Sequence, residues 1–100
     1  MTSDIIQEFN NDMNEIYRRA KKECRYNATY FLRMLSNNGG IDTAKILLSS
    51  GDPQYGFEKL WECGRLDLTV EALVIKPKYV SLFTEQEIKA AVKRLKEYGY

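Results

Sequence analysis

Read from Ser3, the apolar residues Ile5, Phe9, Met13, Ile16, Ala20 and Cys24 recur at steps of three or four. That spacing places them on one face of a long first helix. Ser3 or Asp4 supplies the capping chemistry at its start. Arg18, Arg19, Lys21, Lys22 and Arg25 gather toward its end, where the helix dipole favours cations. A second stripe, Tyr30, Phe31, Met34 and Leu35, follows a capping Asn27 and stops at Gly39-Gly40. Asp42 then caps a short third helix with Ala44, Ile46, Leu47 and Leu48 facing inward. Ser49-Ser50-Gly51-Asp52-Pro53 reads as a turn, with Pro53 placed to open the next element.

Phe57, Leu60 and Trp61 stand at i, i+3 and i+4 of a fourth helix that Gly64 closes. The stretch from Leu66 to Ile75 carries two patterns at once. Leu66, Leu68, Val70 and Ala72 alternate as in a strand, whereas Asp67 is placed to cap a helix burying Val70, Leu73 and Val74. No partner strand is evident, so the expectation is helix, ended by Lys76-Pro77. The last helix is the best marked. Thr84 and Glu87 form a capping box, and Phe83 and Ile88 hold the positions of a hydrophobic staple. Ile88, Ala91, Val92, Leu95 and Tyr98 make its buried stripe, and Gly99 is its stop. The pattern predicts an all-α domain spanning residues 1–100: a compact bundle of about six short helices with a long first one. Phe57, Trp61, Ile88, Val92 and Leu95 are expected in the core. Ile5, Ile6, Phe9 and Met13 extend an apolar surface that favours a homo-oligomer.

Composition narrows the chemistry. Fifteen Lys and Arg against fourteen Asp and Glu leave a net charge of +1, too balanced to mark a dedicated nucleic-acid binder. The absence of histidine removes Ser-His and Cys-His nucleophile pairs and every zinc site with a histidine ligand. Two cysteines, Cys24 and Cys63, cannot build a four-cysteine zinc site, and no stretch approaches a membrane span. The start has no secretory character. These features together suggest a cytoplasmic protein with reduced thiols.

Several residues resemble a widespread group of small bacterial and phage proteins of unassigned function. They are Tyr30-Phe31-Leu32, Gly39-Gly40, Ala44, Leu47-Leu48, Gly56-Phe57, Leu60-Trp61-Glu62, Gly64 through Val74, and Leu82-Phe83-Thr84 with Glu87, Ala90, Arg94-Leu95 and Gly99-Tyr100. The likeness runs from about Ile16 onward. In that group the unit occurs alone or appended to nuclease-like proteins. The resemblance implies a self-sufficient module tied to mobile elements or phage–host conflict, and it carries no catalytic residue with it.

The residues themselves point away from catalysis. Glu58 and Glu62 share a helix face, but the facing histidines of helical metal sites are missing, so a solvated face is the simpler account. Ser49-Ser50 has no base beside it. Gly39-Gly40 belongs to no phosphate-binding loop. Cys24 sits among Lys21, Lys22 and Arg25, which would favour a thiolate, yet it also completes the apolar stripe. The constellation of most interest is basic and aromatic. Arg18, Lys22 and Arg25 run at i, i+4, i+7, and Tyr26, Tyr30 and Arg33 repeat that spacing, with Arg65 at a glycine corner as a further contributor. Guanidinium groups bind phosphate and tyrosine rings stack on bases. Lys89, Lys93 and Lys96 form a similar row on the last helix. Against this stands the ordinary solvated face of an amphipathic helix, with its cations near the C-terminus. The expectation is a non-enzymatic, cofactor-free module for an anionic ligand, a nucleotide or cyclic nucleotide. A protein-interaction module for a nuclease or defence partner is the first alternative. A small DNA-binding adaptor is the second, because the helix after Gly39-Gly40 offers only Thr43 and Lys45 to base edges.

Overall fold

A computed structural model describes residues 3–49 and 55–100, with no strand among them. The described residues form five α-helices: α1 (Ser3–Cys24), α2 (Thr29–Ser49), α3 (Tyr55–Glu62), α4 (Val70–Val74) and α5 (Glu85–Glu97). Short 3₁₀ turns lead into α4 at Leu66–Leu68 and into α5 at Val80–Leu82. The turn expected across Ser49 to Pro53 lies, beyond Ser49, outside the described residues.

The second and third helices expected from the sequence are the two halves of α2. Only Gly39 departs from helical geometry between them, at φ 80° and ψ 171°, a left-handed value that a side chain would oppose. The helix resumes at once, so Asp42 lies inside it rather than capping it. Gly40 is needed for a different reason. It packs on α1, where a Cβ would overlap Asn10 Oδ1 and approach the Asn10 Cα to 3.3 Å.

The stripe of α1 is buried as its spacing demands: Phe9 and Met13 are fully covered and Ala20 nearly so. What covers Phe9 is the far end of the chain. The ring of Tyr79 meets it edge-on at 4.9 Å, and Phe83 lies 5.4 Å away. Tyr79 is itself fully buried and donates its hydroxyl to Asp12 Oδ2 at 2.6 Å. Burial first, and then the Asp12 carboxylate, push its phenol above the usual range. The apolar surface from which self-association was expected is therefore largely consumed within the chain, with Ile6 its most exposed member.

Leu66 to Ile75 is helical but broken. Thr69, not Asp67, caps α4, accepting the Ala72 N–H at 3.1 Å while its hydroxyl donates to the Leu66 carbonyl at 2.6 Å. Asp67 is occupied instead by Arg65. The capping box of α5 forms as expected, with the Thr84 N–H on Glu87 Oε1 at 2.8 Å and the Glu87 N–H on Thr84 Oγ1 at 3.2 Å. Both glycine stops close with the same pair of hydrogen bonds. Gly64 and Arg65 bond back to Trp61 and Leu60, and Gly99 and Tyr100 to Lys96 and Leu95.

Four residues expected inside need correction. Phe57 and Leu95 are buried together, but Trp61 is 47% exposed and leans edge-on against Tyr98 at 5.2 Å. Ile88 and Val92 are half-buried at the margin, and Ile46 points outward. The expected thiols are also not free. Cys24 at the end of α1 and Cys63 just after α3 are joined in a disulfide, their Cα atoms 5.9 Å apart. Residues 39 apart in sequence meet because two helix ends converge there. No helix among the described residues is long and apolar enough to cross a membrane.

Candidate functional site

A cavity of about 190 Å³ opens where α1, α2, α3 and the start of α4 meet. Its walls are apolar. Ile16 and Ala20 come from α1, Phe31 and Met34 from α2, and Phe57 and Leu60 from α3. Tyr17, Tyr26 and Tyr30 add aromatic surface carrying hydroxyl groups, and Glu71 of α4 completes the lining.

Local structure explains how the tyrosines come together. Tyr17 stands one position from the buried stripe of α1, and its hydroxyl donates to Asn27 Oδ1 at 3.0 Å. That bond ties the α1–α2 connection to the helix before it. Arg25 holds φ 54°, a left-handed conformation unusual for a residue with a side chain. It turns the chain so that the Tyr26 N–H reaches the Ala20 carbonyl at 3.1 Å and Tyr26 joins the cavity wall. Gly56 of α3 leaves room for that ring, since a Cβ there would stand 3.1 Å from the Tyr26 hydroxyl. Tyr30, in the first turn of α2, lies at the mouth and is 70% exposed.

The structure thus brings Tyr26 and Tyr30 of the expected cluster to one cavity, whose lining holds none of the cluster's cations. Arg25 directly precedes Tyr26, and Arg33 is one helical turn from Tyr30; both are exposed. Arg18 and Lys22 lie on the side of α1 turned away from its buried stripe, and Arg18 pairs with Glu15 at 3.2 Å. Arg65 is engaged within the chain. Its guanidinium takes Asp67 in a two-pronged bond at 3.0 and 3.1 Å and also pairs with Glu23. Bonds from Arg19 and Arg65 push the Glu23 carboxyl down to about 2, and the Asp67 and Glu23 carboxylates raise Arg65 above its ordinary value. Arg65 therefore belongs to an internal ion-pair network that braces the disulfide region.

Glu58 and Glu62 are solvent-facing, and among the described residues no group of His, Cys, Asp or Glu is placed to hold a metal ion. One charged pair is not announced by the helical spacing. Glu71 and Arg94 are 4% and 6% exposed, and Arg94 Nη1 meets Glu71 Oε2 at 2.7 Å and the Leu47 carbonyl at 3.3 Å. Burying two charges is tolerable only when they satisfy one another. The signal was present in the sequence: a glutamate inside the apolar run from Val70 to Val74, and an arginine between Ala91 and Leu95 on a buried stripe.

The chain matches no family model, no curated protein and no solved structure. Its function has to be read from this geometry.

Proposed function

We propose that this protein is a non-enzymatic binding module for a nucleotide or cyclic nucleotide, whose base enters the cavity beside Tyr26 and Tyr30. The observation that carries the reading is the meeting of those two rings on one apolar cavity. The size is suitable for a flat ring system, since dry apolar cavities of roughly 150 Å³ accept a benzene ring. Arg25 and Arg33 are neighbours of the two tyrosines along the chain and are exposed, and the reading assigns them the phosphate. Base stacking on an aromatic ring contributes about 1–3 kcal/mol, and phosphate contacts add a salt-dependent part. Calorimetric titration with a mononucleotide, a cyclic dinucleotide and a short oligonucleotide tests this directly. Binding of the small nucleotides that weakens at least fivefold in Tyr30→Ala is the expected result. No binding by any of the three overturns the reading, and binding by the oligonucleotide alone moves it to a DNA adaptor.

The half-exposed Trp61, stacked edge-on against Tyr98, favours the second reading, a protein-docking module. Large aromatic side chains left in water are frequent anchors of protein interfaces.

A further inference from the structure

The cavity has one charged residue in its lining. Glu71 is buried, and its Oε2 accepts the Arg94 guanidinium. Among the described residues no hydrogen bond goes to its other carboxylate oxygen, Oε1, and yet that oxygen is not sealed in the interior as an orphan, as Thr43 Oγ1 is. A carboxylate has acceptor positions on both oxygens, and in a buried setting an acceptor left unmade is costly. We infer that Glu71 Oε1 is the acceptor that the cavity presents to its ligand, and that the ligand's ring bears an N–H or amino donor.

The charge arithmetic sets the ligand class. Arg94 already donates to Oε2, so the carboxylate has a cation beside it and does not call for a second one. A neutral donor on a flat ring satisfies Oε1 without introducing a second buried charge. The surrounding wall of Phe31, Phe57 and Tyr26 takes the ring faces and edges. An amino-bearing heterocycle meets both demands, whereas the same ring without the donor leaves Oε1 buried and unpaired. Sites built around such an acceptor discriminate strongly against a ligand that lacks the donor. This inference rests on the proposed binding role of the cavity and specifies which ring that cavity selects.

Indole and benzofuran are suitable probes because they share size and shape and differ in a single N–H. Ligand-observed NMR titration of the intact chain should show indole binding about tenfold tighter than benzofuran. Replacing both charges at once, Glu71→Met with Arg94→Leu, keeps the cavity apolar and avoids stranding either ion. In that variant both probes should still bind and the preference should vanish. Equal affinity of the two probes for the unaltered chain overturns the inference, as does a preference that survives in the double variant. Failure of both probes to bind overturns the inference, while the nucleotide titration decides the binding role separately. Indole selectivity without any nucleotide binding leaves the Glu71 assignment standing and removes only the nucleotide.

Discussion

Asn10 on α1 accepts the backbone N–H of Gly40 through its side-chain Oδ1 at 2.8 Å, across thirty residues of sequence. This bond lies beside the kink at Gly39 and pins α2 to α1 where α2 changes direction. Gly40→Ala should therefore lower stability by about 1–3 kcal/mol, the range for overfilling a packed site. In a domain of this size that is a fall in melting temperature of roughly 4–8 °C per kcal/mol. Thermal melts of the two proteins check it, and an unchanged melting temperature would show that α2 can slide off Asn10 freely.

Reducing the disulfide should be equally visible. Cys24 and Cys63 close a loop over a separation of 39 residues, for which loss of unfolded-state entropy corresponds to about 4 kcal/mol. Urea titrations with and without dithiothreitol, and of Cys24→Ser with Cys63→Ser, should shift to lower midpoints by a corresponding amount. A midpoint insensitive to reductant would mean that the two helix ends are held together by packing alone.

How much of this was legible depended on range. The capping box at Thr84 and Glu87, the stops at Gly64 and Gly99 and the stripe through Phe9 and Met13 are local signals, written within one or two turns, and they were readable directly. Cys24 with Cys63, Phe9 with Tyr79 and Glu71 with Arg94 are tertiary partnerships, and no helical period announces them. Trp61 misled because its i+4 relation to Phe57 places it near the buried face, whereas Leu60 takes the interior and Trp61 lies over Tyr98. In the candidate site, the spacing that pairs Tyr26 with Tyr30 also aligns them with Arg18 and Lys22, which the fold leaves outside the cavity lining. The left-handed turn at Arg25 redirects the chain between the two runs.

That turn gives a prediction of opposite signs. A side chain at φ 54° is disfavoured where glycine is not. Relief of about 1–2 kcal/mol of left-handed cost, set against about 0.5–1 kcal/mol for glycine's extra unfolded-state freedom, leaves Arg25→Gly modestly more stable, while losing a cation beside Tyr26 should weaken nucleotide binding. Denaturation and titration on the same preparation separate the two effects. A variant that is more stable and binds as before would assign Arg25 to the turn alone.

Acid should loosen the end of α1. The Glu23 carboxyl, ordinarily near 4.5, is held down to about 2 by bonds from Arg19 and Arg65, and Asp67 is likewise lowered by Arg65. A carboxyl whose folded value lies below its unfolded one supplies stability that is complete above the unfolded value and fades as pH falls toward the folded one. Melting temperature should therefore drop between pH 4.5 and about 2, and Glu23→Gln should flatten that part of the profile. An identical acid profile in Glu23→Gln would place the sensitivity elsewhere.

The buried pairing of Glu71 with Arg94 also constrains how this chain can change over generations. Losing either partner breaks the buried pair at a cost of about 3–5 kcal/mol, a large share of the about 5–15 kcal/mol that holds a small domain together. Losing both to apolar residues of similar volume is close to neutral. Each single step thus leads into a valley that the double step avoids. Lineages that descend from this sequence should carry both charges or neither, so that two sites 23 positions apart are inherited as one.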